Sequence, residues 1–236
     1  MSDGGDLWAV VPAAGVGRRF GADIPKQYLP LAGRRVIDQS LAVLLAEPRL
    51  RGVVVALDPR DSFWPQSELA DDPRVRRVAG GAERCHSVLN ALEALAEMAG
   101  ADDWVLVHDA ARPCLRANDL ARMIEILCDD PVGGILAVPV RDTMKQADDA
   151  GRIDATLARE RLWHAFTPQM FRFGLLREAI AAALAAGVLV TDEAAAIERF
   201  GRAPRLVEGQ ADNIKITRPE DLPLAEFYLQ QQGRIC

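Results

Sequence analysis

The sequence predicts an α/β fold: a single Rossmann-like domain with a mostly parallel twisted sheet flanked by helices, plus a protruding β-arm. Short apolar runs alternate with stretches of helical period, the signature of strands linked by crossover helices. The first run, Leu7-Trp8-Ala9-Val10-Val11-Pro12, empties into small residues followed by cations. Half of the 236 residues are hydrophobic, which suits one packed core better than a disordered chain.

Leu7 to Val11, Gly52 to Leu57, Val75 to Val78, Trp104 to Val107 and Gly134 to Val138 are the expected strands. Val88, Leu89, Leu92, Leu95, Ala96 and Ala99 lie on one helical stripe, and Leu120, Met123, Ile124 and Leu127 on a second. After Pro139 the rhythm breaks. Thr143 to Ala147 and Arg152 to Leu157 flank Asp148-Asp149-Ala150-Gly151, which reads as a hairpin turn. Its thin apolar content makes residues 140–160 an excursion from the main sheet, either a solvent-exposed hairpin or an arm against a second subunit. Gly174 to Ala186 is an Ala-rich helix, and Thr191-Asp192-Glu193 opens another. Arg205-Leu206-Val207 and Asn213 to Ile216 read as short strands. Thr217-Arg218-Pro219-Glu220 reads as a capping box with Pro219 in the first turn of a last helix.

Net charge is −6 with both signs interleaved, which argues against a general nucleic-acid binder. The four cysteines are far apart with no C-x-x-C pair, against a disulfide framework or a zinc site. The acidic start is unlike a signal peptide, and no apolar run reaches membrane-spanning length, so the expected setting is soluble and cytoplasmic.

The loop Ala13-Ala14-Gly15-Val16-Gly17-Arg18-Arg19, with Pro25-Lys26 beyond it, suits an anion. Small residues let backbone N–H groups approach a phosphate, and the long cations neutralise it. It is neither a dinucleotide fingerprint, since Phe20 stands where a third glycine belongs, nor a P-loop, since Gln27 follows Lys26.

Further motifs occur in order: Val107-His108-Asp109-Ala110-Ala111-Arg112-Pro113, Pro139-Val140-Arg141-Asp142-Thr143-Met144-Lys145, Leu162-Trp163 with Thr167-Pro168-Gln169, Thr191-Asp192-Glu193 and Asn213-Ile214-Lys215. Together with the first loop and Pro25-Lys26-Gln27-Tyr28 they make the chain, from about Leu7 to Leu229, resemble the 2-C-methyl-D-erythritol 4-phosphate cytidylyltransferases. The resemblance implies that CTP and methylerythritol 4-phosphate combine with release of pyrophosphate, in the non-mevalonate route to isoprenoid precursors. A related cytidylyltransferase for another polyol phosphate, such as ribitol 5-phosphate, and a non-catalytic nucleotide-binding subunit are the alternatives. The chemistry calls for fixed cations and a Mg²⁺ ion on the triphosphate. It needs no general base, because a phosphate monoester with a second pKa of about 6 is already largely ionised.

The resemblance implies roles residue by residue. Arg19 and Lys26 stabilise charge at the α-phosphate, while Arg159 and Lys215 hold the acceptor phosphate, Arg159 reaching into a neighbouring subunit of a homodimer. Pro12, Ala13, Ala14, Gly15 and Gly17 cradle the nucleotide. Gly80-Gly81-Ala82-Glu83-Arg84 and Ser87 match the region that reads cytosine and ribose, although a turn capped by Ser87 explains the same residues. Asp109, Ala110 and Arg112 follow a strand at the substrate side, Asp109 holding substrate hydroxyls or lying near the metal and Arg112 supporting the polyol phosphate region, with a mutual Asp109–Arg112 ion pair as the plainer account. Thr143, Thr167 and Thr191 are polyol-side contacts, Thr191 being equally a helix start. No residue is assigned as a direct metal ligand.

Overall fold

A computed structural model describes residues 5–15 and 24–235. Gly17 and Arg19 lie outside the described residues. Among the described residues, seven strands form the main sheet in the order β11-β7-β10-β6-β1-β4-β5. In chain order, β1 is Leu7–Pro12, the small strands β2 and β3 are Pro30–Leu31 and Arg34–Arg35, and α1 is Val36–Leu45. Then come β4, Leu50–Leu57, β5, Val75–Ala79, α2, Arg84–Leu95, and β6, Trp104–Val107. They are followed by α3, Ala117–Leu127, β7, Gly133–Pro139, and the arm strands β8, Met144–Ala147, and β9, Ile153–Leu157. The chain closes with β10, Trp163–Arg172, α4, Phe173–Ala185, α5, Glu193–Arg199, β11, Arg205–Glu208, and α6, Asp221–Gln231.

Alternation along the central strands divides the core. Ala9, Val11, Val53, Val55, Leu57 and Leu106 face α1 and α3, while Val10, Val54, Ala56, Val105 and Val107 face α2, α4 and α5. This two-sided burial explains why the strands read as continuous apolar runs. Parallel pairing joins β1 to both β4 and β6. The order therefore reverses at β1: β4 and β5 step away on one side, and β6 returns on the other. A crevice opens at such a switch point, beyond the carboxyl ends of the strands.

The five strands expected up to Val138 are present, as are the hairpin, the Ala-rich helix and the Arg205 strand. The arm is a separate two-stranded sheet, with Lys145 Nζ donating to Thr156 Oγ1 at 2.6 Å. Three expectations need correction. Asn213 to Ile216 is not a strand, because its backbone bonds to loops instead of to a ladder: Ile216 N–H donates to Ala111 O, and the carbonyls of Asn213 and Ile216 accept from Arg112 and Lys26. The capping box at Thr217 is replaced by the reverse arrangement. Asp221, first residue of α6, accepts from Thr217 N, Thr217 Oγ1 and Arg218 N, so Pro219 precedes the helix. The second crossover helix begins earlier and ends at Leu95; Ala96 and Ala99 fall beyond it, and Cys85 and Ala91 join its buried face. Strand β10, antiparallel to both β6 and β7, is an additional element.

Gly80 N–H bonds to Leu57 O at 2.7 Å, tying the turn after β5 to the end of β4, where it packs against the loop after β1. A Cβ on Gly80 would stand 2.4 Å from the Ala14 Cβ, an atom that moves only with its backbone. Gly80→Ala should therefore cost about 1–3 kcal/mol of stability. Urea denaturation measures it, and an unchanged midpoint would contradict this packing.

Candidate active site

The loops after β1, β5 and β6 meet at the switch point and line a cleft of about 240 Å³. Pro12, Ala13, Ala14 and Gly15 form one wall, and Gly81, Ala82 and Ser87 form another. Asp109, Ala110, Lys26 and Lys215 complete it. The first wall is held by its neighbours: Ala13 N–H donates to Ala56 O at 2.8 Å, and buried Gln27 donates through Nε2 to Ala13 O at 2.8 Å. Ser87 sits in the first turn of α2 and caps the turn that leads into the helix. Its Oγ accepts from Gly81 N–H at 3.0 Å and bonds to Glu83 O at 3.3 Å, fixing the glycine turn from within the helix.

A second cleft of about 190 Å³ adjoins the first and shares Arg84, Asp109 and Lys215 with it. Arg112, Phe166, Thr167, Gln169 and Thr191 also line it. Its position follows from the direction of β10. Because Gln169 pairs with Val107, antiparallel β10 sets Phe166 and Thr167 beside Asp109, just beyond the end of β6. Gln169 then secures the start of α5, donating to Asp192 Oδ2 at 3.0 Å and accepting from Ala194 N–H at 2.8 Å.

Asp109 is the junction of the two clefts. Although buried, it meets Lys215 Nζ at 2.8 Å, Arg84 Nε at 3.0 Å and Arg112 Nε at 3.7 Å. Burial opposes its ionisation, but the surrounding cations outweigh burial and hold the carboxyl far below the usual range. The expected Asp109–Arg112 pair is present, but it is the longest of the three contacts. Arg84 also grips Glu193 with both Nη atoms, at 2.6 and 3.0 Å. Burial pushes Glu193 upward while Arg84 pulls it back.

His108 is fully buried and saturated. Its Nε2 lies 3.1 Å from Arg112 O, which requires the proton there, so Nδ1 accepts from Thr167 Oγ1 at 3.1 Å. Thr167 Oγ1 in turn accepts from Asp109 N–H at 3.0 Å. The Thr167 hydroxyl proton is thus engaged within the protein, and its carbonyl accepts from Asn213 Nδ2 at 2.8 Å. Burial lowers the His108 pKa from 6.5 to about 4.

Of the remaining sequence candidates, Thr143 is exposed before β8, and Arg159 is exposed in the 3-10 turn Arg159–Arg161, donating to Arg141 O. Neither lines either cleft of its own chain. The sequence places Arg84 in the turn matched to cytosine and ribose and Glu193 at a helix start, and assigns neither an ionic role. A cation in the first helical turn after a double glycine and an acid at a helix start mark each residue separately, but not their pairing.

No trio of His, Cys, Asp or Glu side chains converges to chelate a metal among the described residues. The carboxylates lining the larger cleft are exposed Glu83 and Asp109, the latter already surrounded by cations. This donor set suits a cation that arrives with oxygen ligands of its own. No helix among the described residues is long and apolar enough to cross a membrane.

A cationic strand-end cleft, floored by backbone and joined to a second cleft on a mostly parallel sheet, is the architecture of a nucleotidyltransferase. Residues 7–231 match the 2-C-methyl-D-erythritol 4-phosphate cytidylyltransferase family. Proteins of that name from Ectopseudomonas mendocina strain ymp and Pseudomonas aeruginosa strain PAO1 are 60% and 59% identical over 217 residues. These alignments cover 92% of this chain and 92% and 93% of theirs. The crystal structure of the enzyme of that name from Francisella tularensis superposes with a TM-score of 0.83 at 37% identity, covering 95% of this chain and all of that one. The chain belongs to this family.

The His108 ring should stay neutral from pH 7 down to pH 5. Its folded pKa lies below the 6.5 of an ordinary histidine, so the unfolded chain binds the extra proton first. Its contribution to stability is therefore lost as pH falls from about 6.5 towards about 4. NMR titration of the ring checks this; a midpoint near 6.5 would show that it is not sealed.

Proposed function

We propose that the protein joins CTP to 2-C-methyl-D-erythritol 4-phosphate, giving 4-diphosphocytidyl-2-C-methyl-D-erythritol and pyrophosphate, in isoprenoid precursor synthesis. The observation that carries the reading is the pair of adjoining clefts with Asp109, Lys215 and Arg84 in their common wall. The larger cleft takes the nucleotide, the smaller the polyol phosphate, and the two phosphates meet at the shared wall. Attack of the acceptor phosphate oxygen on the α-phosphorus is in line, with pyrophosphate leaving opposite.

Each group then has a physical task. Lys26, with Arg19 from the undescribed part of the loop, neutralises charge that builds on the five-coordinate phosphorus. Lys26 Nζ is aimed by its bond to Ile216 O at 2.9 Å. Backbone from Pro12 to Gly15 and at Gly81 and Ala82 holds the nucleotide, and a fixed backbone pattern can accept a pyrimidine while excluding a larger base. Lys215 and Arg112 attract the acceptor phosphate; Asp109 receives polyol hydroxyls and restrains both cations. Thr191, exposed at the rim, contributes to the polyol side, and Thr167 shapes it. Mg²⁺ carried on the triphosphate would withdraw charge from its oxygens, with Asp109 and Glu83 the nearest carboxylate donors in the cleft lining. His108, buried and neutral, takes no part in proton transfer.

Exposed Arg159 and Thr143 would complete the smaller cleft of a second copy across an arm-mediated homodimer. Light scattering at micromolar concentration should give a dimer, and a fully active monomer would refute this part.

Lys26→Ala should lower kcat about 100-fold or more with little change in CTP affinity, since its charge acts on the transition state. Pyrophosphate release and CTP titration measure the two quantities, and unchanged kcat would remove the role. Running the wild-type assay with CTP, UTP and ATP against methylerythritol 4-phosphate and ribitol 5-phosphate tests the reaction. Equal or reversed acceptor preference would overturn the substrate assignment.

A further inference from the structure

Arg84 stands between two carboxylates that come from opposite sides of the site. It lies in the first turn of α2, on the wall with the glycine turn; Asp109 follows β6, and Glu193 opens α5. Its Nη1 and Nη2 meet the two Glu193 oxygens at 2.6 and 3.0 Å, leaving Nε to meet Asp109 Oδ1 at 3.0 Å. The other Asp109 oxygen, Oδ2, meets Lys215 at 2.8 Å. Glu193 itself is sealed, its side chain 1% exposed, and lines neither cleft. A planar guanidinium fixed by a two-pronged carboxylate cannot rotate without breaking both bonds.

We infer that Glu193 is a positioning residue that holds Arg84 so that its guanidinium restrains Asp109, and through Asp109 the attacking-side cation Lys215. This rests on the proposed cytidylyl transfer at the paired clefts. Without the Glu193 charge, Arg84 keeps its own charge but loses its anchor. Its freed Nη groups, bordering both clefts, then compete for phosphate oxygens. Anion binding survives, while alignment of the two phosphates is lost.

The test is steady-state kinetics of pyrophosphate release by the full chain, with thermal melting alongside. Glu193→Gln, which keeps the shape and removes the charge, should lower kcat about tenfold to 100-fold, the scale of a small misplacement of reacting groups. The acceptor KM should stay level or fall. Glu193→Asp, which restores a carboxylate, should recover part of kcat. Arg84→Lys, which keeps the charge without the fork, should also lower kcat, and the double variant E193Q/R84K should lose little more than either alone. A merely structural role would instead raise KM in step with a lowered melting temperature. That outcome, kcat and KM within twofold of wild type, additive losses, or failure of all three single variants to fold would each overturn the assignment. An inactive wild-type protein would overturn the functional reading and this inference with it; an active wild type with an indifferent Glu193→Gln would overturn the inference alone.

Discussion

A buried carboxylate that remains ionised is the constraint on which the site depends. Asp109 could not keep its charge beneath the strand ends without compensation, and Arg84, Lys215 and Arg112 provide it. The dependence is mutual: buried or half-buried cations around an anion site repel one another unless an internal anion separates them. Breaking a buried pair by removing one partner typically costs about 3–5 kcal/mol, a large share of a domain's stability. The pocket is thus a charge lattice in which Asp109 keeps the cations apart and aimed.

The topology explains why distant segments reach this point. Reversal of strand order at β1 opens the crevice, and β10, running against β6, has its first half at the mouth. Side-chain to backbone bonds then join loops that no ladder can join. Gln27 holds Ala13, Asn213 holds Thr167, Arg112 holds Asn213 and Lys26 holds Ile216, each at 2.7–2.9 Å. These bonds satisfy carbonyls that an irregular segment would otherwise leave buried and unpaired. They also explain how one chain with net charge −6 concentrates positive charge at one place.

The parallel strands were legible because burial on both faces makes them uniformly apolar, and the cations were legible because they sit beside small residues at strand ends. Other features carry no local mark. Strand β10 contains Thr167 and Gln169, polar residues that serve the site and hide the strand's period. Asn213 to Ile216 alternates like a strand, yet its partners are loops, a fact set by tertiary contacts alone. Glu193 looks like an acid favouring the start of α5, which its neighbour Asp192 does cap by accepting from Ala195 N–H at 2.9 Å. Nothing near it in sequence signals that its partner is Arg84, 109 positions away.

The same wiring explains how transfer can proceed without a base. A base must exchange protons with substrate, but His108 is sealed, its two nitrogens committed to Arg112 O and Thr167. Its chain of hydrogen bonds instead sets the backbone at Asp109, so the histidine's contribution is to the shape of the charged centre. Two phosphates that repel each other need fixed positive charge already in place, because reorganising water or flexible lysines during the reaction would cost what the enzyme must save. Lys215 alone, a flexible half-exposed ammonium, would be a poor fixed charge. Anchored to a carboxylate that is itself held by a rigid guanidinium, it becomes part of a preorganised field, and rigidity passes from buried Glu193 outward to Lys215, the cation proposed to meet the acceptor.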